Sequence, residues 1–288
     1  MKTTIHRLIT TAALGLAAVL PGMASAQSTW NLGSSSCGSG GGTTYSSLTC
    51  TGSSSSETAT MYAYGTTGGA GTAFTQGTLA NWDPSGFGAY VGADSGSPTH
   101  AFDSTSPTSS TELMLISFGP YKVDLSSVAV GWAETDTDIS VLRWDGANVA
   151  DAKTLVNGKT TSQLISAGWT LVGSQDLDAA GYNLDNVNTA GTTNDAYKST
   201  INLGNQVSSY WIISTYYGGS SGNLGAGDDK FKILNFAADV CTSGTYSGGT
   251  GGNGGTCVPG TVPEPASLAL AAVALLGLGA ARRTRRRG

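Results

Sequence analysis

Charged side chains are scarce in this chain of 288 residues. Aspartate, glutamate, lysine and arginine make up 11% of it, well below the roughly one quarter that is usual for soluble domains. Residues 27–262 hold seven basic and eighteen acidic side chains, which gives a net charge of −11. Nucleic acid is therefore not an expected partner, because neutralising phosphates requires clustered lysine and arginine.

Histidine is scarcer still, and this limits the catalytic chemistry. Beyond residue 26 the chain has one histidine, His100 in "GSPTHAFD", and a histidine works as an acid or base only beside positioned partners. The one G-x-S-x-G match, residues 218–222, lies after this histidine and has no helix signal behind it, unlike the serine of α/β-hydrolases. We therefore expect no enzyme and assign no catalytic residue.

The first 26 residues have the order of a secretory signal peptide. Lys2 and Arg7 precede an apolar run from Leu8 to Leu20, and Ala24 and Ala26 form the A-x-A site at which signal peptidase would cleave. The run is shorter than the roughly 20 residues that span a bilayer. A cleaved export signal is thus favoured over a retained membrane helix.

A second apolar segment, residues 266–281, ends the chain in "VPEPASLALAAVALLGLGAARRTRRRG". Its sixteen residues would form about 24 Å of helix, short of the roughly 30 Å hydrocarbon core. We expect a short transmembrane helix that anchors the chain in the inner membrane temporarily. Five arginines follow and act as a cytoplasmic stop-transfer signal: Arg282, Arg283, Arg285, Arg286 and Arg287.

Four cysteines, Cys37, Cys50, Cys241 and Cys257, lie between the two terminal segments. An even number in an exported chain indicates disulfides, with three possible connectivities. Pairing of sequence neighbours is favoured, because short loops close at a smaller entropic cost. A zinc site is not favoured and no metal ligand is assigned, since neither pair has C-x-x-C spacing and no histidine lies nearby.

Short β-type segments separated by turn residues fill the middle of the chain. They predict an all-β fold, an antiparallel β-sandwich or jelly-roll-like single domain at residues 59–241. Residues 27–58, rich in Ser, Gly and Thr, are predicted as a loop region with the first cysteine pair, and residues 242–261 as a Gly-rich linker. The predicted strand segments are "TATMYAYG", "GFGAYVG", "TELMLISFG", "SSVAVGWA", "DISVLRW", "GWTLVGS", "AYKSTINLG", "SSYWIISTYY" and "KFKILNFAADV".

One segment, Gly158 to Trp169, could hold a short helix with Thr160, Thr161 or Ser162 as its N-cap. The clearest hairpin pattern runs from Ser127 to Trp144, with a turn around "TDTD" at residues 135–138. We expect this hairpin at the centre of the sheet.

Aromatic and acidic residues of the predicted hairpin suggest a speculative glycan-binding face. On one continuous strand Trp132, Glu134, Asp136 and Trp144 would share a face, because side chains alternate with period two. Sugars stack on aromatic rings and hydrogen bond to acids. Turn chemistry alone also explains Asp136 and Asp138, and this simpler interpretation is favoured. The tryptophans mostly lie in strand segments and are expected in the core, except Trp82, which lies in a loop.

Calcium is the one cofactor that the acidic loops allow, and otherwise none is expected. Asp176, Asp178 and Gly181 occupy three positions of an EF-type loop, but position 12 is Val187 and the closing acid is missing. The pair at residues 228–229 in "GAGDDKF" is a second candidate, although such pairs are usually solvated.

The tail carries a specific resemblance through Val262, Pro263, Glu264 and Pro265, followed by the apolar segment and the arginines. Residues 262–288 resemble the PEP-CTERM sorting signal of Gram-negative, exopolysaccharide-producing bacteria, which the membrane enzyme exosortase processes. The resemblance implies export, transient anchoring, cleavage near Pro-Glu-Pro and delivery to the cell surface or extracellular matrix, with Glu264 as the central recognition residue. Segments 127–144, 167–173 and 208–216 also resemble one group of exosortase-dependent surface proteins, which brings no known activity.

These observations favour a structural or interaction protein at the cell surface or in the matrix, associated with exopolysaccharide or biofilm. Its expected partners are signal peptidase, exosortase, the inner membrane transiently, and exopolysaccharide. A carbohydrate-binding module, with or without calcium, is the alternative, and a polysaccharide-active enzyme is third.

Overall fold

The computed structural model shows two large antiparallel β-sheets and a separate two-stranded ladder, which confirms the all-β class. It describes residues 27–33, 37, 42–54, 56–68, 71–92, 100–104, 110–134, 137–172, 182–183, 197–202, 205–215, 229–240, 246–247 and 256–257. The strands in these ranges are β1 (Gln27–Asn31), β2 (Thr44–Tyr45), β3 (Leu48–Thr51), β4 (Thr58–Gly65), β5 (Thr75–Gln76), β6 (Thr78–Asn81), β7 (Phe87–Tyr90), β8 (Phe102–Asp103), β9 (Glu112–Ser117), β10 (Val123–Ala133), β11 (Asp138–Trp144), β12 (Trp169–Leu171), β13 (Tyr182–Asn183), β14 (Tyr197–Thr200), β15 (Tyr210–Thr215), β16 (Lys230–Val240), β17 (Tyr246–Ser247) and β18 (Thr256–Cys257).

Each of the two large sheets has eight strands. The first has the order β14-β10-β16-β7-β6-β2, with β1 and β8 also paired to β16. The second has the order β12-β11-β15-β9-β4-β3, with β13 paired to β11 and β5 to β4. Every predicted strand segment contains a strand, and three coincide with β4, β11 and β16. The period-two patterns therefore located the strands.

One apolar cluster takes alternate residues from both sheets. In the first sheet Val128 of β10 and Phe236 of β16 belong to this cluster, and in the second Met61 of β4 and Ile116 of β9 do. Leu115, the neighbour of Ile116, belongs instead to a second cluster on the outward face of the second sheet. The two sheets thus share one core, and the second sheet is apolar on both faces.

The segment between β11 and β12 covers that outward face. It holds a 3₁₀ turn (Ala152–Leu155) and one helix, α1 (Thr161–Ala167), and it places Val156 and Leu164 in the outer cluster. The helix starts as predicted at Thr160, whose hydroxyl accepts from the Gln163 backbone N–H while the Gln163 side chain accepts from the Thr160 N–H. Such a reciprocal capping box satisfies two otherwise unpaired donors.

Residues 27–58 are not a simple loop, which corrects the prediction from their composition. Strand β1 pairs with β16 over its whole length, and Trp30 is fully buried and stacks on Phe236 at 5.5 Å between ring centres. Strand β3 pairs with β4. A strand ladder uses backbone groups, so a few well-placed apolar side chains suffice to hold a Ser/Thr-rich strand.

The segment Ser127 to Trp144 does not form a hairpin either. Its two strands exist, but β10 lies between β14 and β16 in the first sheet and β11 lies between β12 and β15 in the second. Both send alternate residues, such as Val130 and Val141, into the same core. Because two strands facing each other across a core show the same alternation as two paired strands, the pattern could not separate these arrangements.

The cysteine and linker predictions were met in part. Cys37 and Cys50, thirteen residues apart, form a disulfide, so the first neighbour pair is confirmed. The predicted Gly-rich linker contains a short ladder between β17 and β18. Cys241 lies outside the described residues, and the side chain of Cys257 is likewise not described.

The predicted signal peptide with Ala24 and Ala26, and the predicted sorting segment 262–288, lie outside the described ranges. Within those ranges, no helix has the length and apolarity to cross a membrane.

Candidate functional site

The four residues of the predicted glycan face are not brought together. Trp132 lies opposite Lys232 of β16 in the first sheet and is half-buried. Trp144 lies in the second sheet, 5.6 Å from Trp169 between ring centres, and its indole N–H donates to the Ala147 carbonyl at 2.8 Å. Trp144 is thus a packing residue. Asp136 lies outside the described residues.

Trp132 instead joins a different set of side chains, which we call the aromatic patch: Trp82, Tyr90, His100, Trp132 and Lys232. The ammonium nitrogen of Lys232 lies 4.4 Å from the centre of the Trp132 ring and 5.3 Å from that of Trp82. His100 stacks on Trp82 with 5.5 Å between ring centres and lies 4.9 Å from Tyr90. The patch therefore assembles residues from three separate parts of the chain.

The patch lies on the outward face of the first sheet. Phe231 and Ile233, which flank Lys232 in β16, point into the shared core, so the alternation directs Lys232 outward. Trp82 and Tyr90 keep 38% and 36% of their surface exposed. Neighbouring exposed aromatic side chains are a feature that binding surfaces share.

Two glycines let loops lie directly against this sheet. A Cβ on Gly131 would come 2.6 Å from the carbonyl oxygen of Ser85, and one on Gly88 would come 1.7 Å from that of His100. Both distances are below the contact limit, so no larger residue fits without moving the backbone. Because Gly131 and Gly88 have no side chain, the loops that carry Trp82 and His100 lie close to Trp132 and Tyr90.

The ammonium group of Lys232 lies against aromatic rings and near one carboxylate. Lys232 is 8% exposed, and burial lowers the pKa of its ammonium group, while the Glu134 carboxylate raises it. Glu134, from the predicted face, also lies 3.6 Å from the ammonium nitrogen of Lys230. A cation desolvated against indole rings interacts with them by about 1–2 kcal/mol, so Lys232 holds both tryptophans in place.

The sequence indicates only part of this patch. It places Trp82 in a loop and predicts Trp132 as a ligand residue, but no sequence pattern connects Tyr90, His100 and Lys232 with them. His100 was expected to be solvated, but it packs between two rings. Its backbone φ of 65° marks a constrained position. No pattern within a single segment could have predicted contacts between loops.

Of the acidic residues considered for calcium, Asp229 is hydrogen bonded to groups of the protein itself. Asp229 is fully buried, and its carboxylate accepts from the Asp138 backbone N–H at 2.9 Å and the Ser104 hydroxyl at 2.9 Å. Asp176, Asp178, Gly181 and Asp228 lie outside the described residues. Within the described part of the chain, no three His, Cys, Asp or Glu side chains come together as metal ligands.

The fold and the patch define an all-β protein of two antiparallel sheets with an exposed aromatic surface. Residues 261–286 match the family model of the PEP-CTERM protein-sorting motif, so the resemblance of the tail is confirmed: the chain carries a PEP-CTERM sorting motif. This motif implies export, surface sorting and processing by exosortase. No curated protein and no solved structure matches the chain.

Proposed function

We propose that this protein is a non-catalytic component of the cell surface or extracellular matrix that holds exopolysaccharide at its aromatic patch. The sorting motif supports the destination. The observation that supports the ligand is the exposure of Trp82 and Tyr90 beside the half-buried Trp132. Sugar rings present C–H faces that pack on aromatic rings, and hydroxyls that hydrogen bond to polar groups beside them.

We further propose how the protein reaches the cell surface and how its two sheets are arranged. Signal peptidase removes residues 1–26, the tail anchors the chain transiently in the inner membrane, and exosortase releases it near Pro263-Glu264-Pro265. The two sheets form a β-sandwich, which the shared apolar cluster supports, since residues of both sheets alternate into it. A sandwich presents two broad outward faces to a polymer.

The polysaccharide is proposed to be neutral and to bind without a cofactor. Residues 27–262 carry a net charge of −11, which repels uronate-rich chains at low salt. Lys232 and Glu134, the charged groups of the patch region, are already engaged with the tryptophans and with Lys230 respectively. Binding should therefore be the same with and without EDTA.

Calorimetric titration of the full chain in detergent with neutral and acidic polysaccharides tests this function. We expect Trp82→Ala to weaken binding at the patch roughly tenfold, the size of effect that truncating an interface anchor has. Ile165→Ala is the matched control, because Ile165 is an equally exposed apolar residue on α1. An equal loss in both variants, or binding restricted to acidic polymers, would contradict the proposal.

A further inference from the structure

A groove of about 450 Å³ lies on the outward face of the second sheet. This volume falls within the roughly 300–1,000 Å³ of small-molecule sites. We call it the tyrosine groove, because three tyrosines, Tyr62, Tyr121 and Tyr210, line it. The aromatic patch lies on the first sheet, so the two features occupy opposite outward faces of the two sheets.

The walls of the groove are braced by hydrogen bonds. One wall is the turn between β9 and β10 with Tyr121, whose carbonyl accepts from the Ser209 hydroxyl at 2.8 Å. The other is the loop around Val149, whose N–H donates to the Tyr210 hydroxyl while its carbonyl accepts from that hydroxyl, both at 3.1 Å. These contacts hold both walls without a ligand, and preformed sites bind at a smaller entropic cost.

Lys122 links the two walls directly. Its ammonium group donates to the side-chain oxygen of Asn148 at 3.0 Å, across from one wall to the other. Lys122 is 8% exposed, and burial lowers the pKa of its ammonium group. This hydrogen bond fixes the spacing between the segments that carry Tyr121 and Val149.

The floor of the groove is polar and aromatic. In β4 the residues Ala59 and Met61 point into the shared core, and the alternate residues Thr58, Thr60 and Tyr62 face the groove. Tyr121 keeps 39% of its surface exposed. Rings for the C–H faces of a sugar therefore lie beside hydroxyls for its polar edges.

From this lining we propose that the tyrosine groove is a second polysaccharide site, which takes an interior segment of a neutral chain. The groove is open to solvent rather than enclosed, so a sugar bound in it can continue into a chain on either side. Asp151 is the one carboxylate in its lining, and with the acidic net charge it disfavours anionic polymers. If the proposed function of the aromatic patch also holds, one protein molecule joins two polysaccharide strands.

The test uses the full chain in detergent and a neutral oligosaccharide as the probe, with Trp82→Ala to weaken the patch roughly tenfold. We expect wild type to bind about two equivalents by calorimetry, and the Trp82→Ala variant to bind about one with undiminished affinity. Adding Tyr121→Ala should remove the remaining site or weaken it roughly tenfold. Light scattering from soluble neutral polysaccharide should rise with wild type and not with either single variant.

The outcomes separate the two proposals. Loss of all binding in Trp82→Ala alone would overturn the groove and leave the patch in place. Binding that is unchanged in Trp82→Ala but lost in Tyr121→Ala would overturn the patch and support the groove. Tyr121-dependent capture of peptides but of no glycan would assign the groove to a protein partner and overturn the inference, and no glycan binding by wild type would overturn both.

Discussion

Asp124 shows how burial changes a single side chain. It is 5% exposed and lies directly opposite Asp239 in the pairing of β10 with β16. Burial chiefly, and the Asp239 carboxylate next, raise the pKa of Asp124 to about 7, while a hydrogen bond from the Asn202 amide opposes the rise. The carboxyl is therefore protonated in the folded protein under mildly acidic conditions.

This pKa predicts how stability changes with pH. The unfolded chain releases the Asp124 proton near pH 3.8 and the folded chain near pH 7, so the stability from this group is complete below pH 3.8 and is lost as the pH rises to about 7. We expect Asp124→Asn to flatten the decline of the unfolding free energy between pH 4 and 8 by roughly 4 kcal/mol, because the pKa rises by about three units and one unit corresponds to about 1.4 kcal/mol.

Urea denaturation at a series of pH values measures that decline. Asp83→Asn is the control, since it makes the same replacement at an exposed position. Parallel profiles for wild type and Asp124→Asn would show that the buried carboxyl is not the source.

The carboxylate of Asp229 joins the ends of three strands. It precedes β16 and accepts from Ser104, which follows β8, and from the backbone N–H of Asp138, which starts β11 in the other sheet. The bonds are buried, so each is costly to leave unmade. These hydrogen bonds thus connect the two sheets at the start of β11.

We predict that Asp229→Ala lowers the unfolding free energy by about 3 kcal/mol, because it leaves two buried donors without their acceptor. Ser104→Ala removes one donor to the carboxylate and also the acceptor of the Asp229 backbone N–H at 3.3 Å, but it leaves the bond from Asp138 in place and should cost less than Asp229→Ala. Thermal and urea denaturation of both variants checks the ranking. Equal, small losses of unfolding free energy in both variants would mean that other groups connect the two sheets here.

The individual strands and the helix cap can be predicted from the sequence, whereas the pairing of distant strands cannot. The β4, β11 and β16 segments and the capping box at Thr160 agree with the structure, because alternation, β-branched residues and cap chemistry act over a few neighbouring residues. The pairing of β10 with β16, whose residues lie about a hundred positions apart, has no local signal. The strand β1 was hidden because composition alone does not show which backbones meet.

At the scale of the whole molecule, the sorting motif governs where the protein goes. We predict that Glu264→Ala leaves the chain uncleaved in the inner membrane, because the Pro-Glu-Pro entry of the motif at residues 261–286 is the expected recognition element. Arg285→Lys keeps the cytoplasmic charge and should be sorted normally. Mass spectrometry of surface material decides the matter, and an intact arginine tail on released wild-type protein would contradict the sorting scheme.

The local features of this protein follow from its amino-acid order: the strand segments, the helix start, the neighbouring Cys37–Cys50 pair and the sorting tail. Each depends on residues that are close in the chain or on a motif in fixed order. The folded arrangement alone shows that Trp132 and Trp144 lie in different sheets, and that Lys232 lies near both Trp132 and Trp82. Alternation specifies that a side chain points inward or outward, whereas the partner that it meets depends on how distant strands pair and how the two sheets share their core.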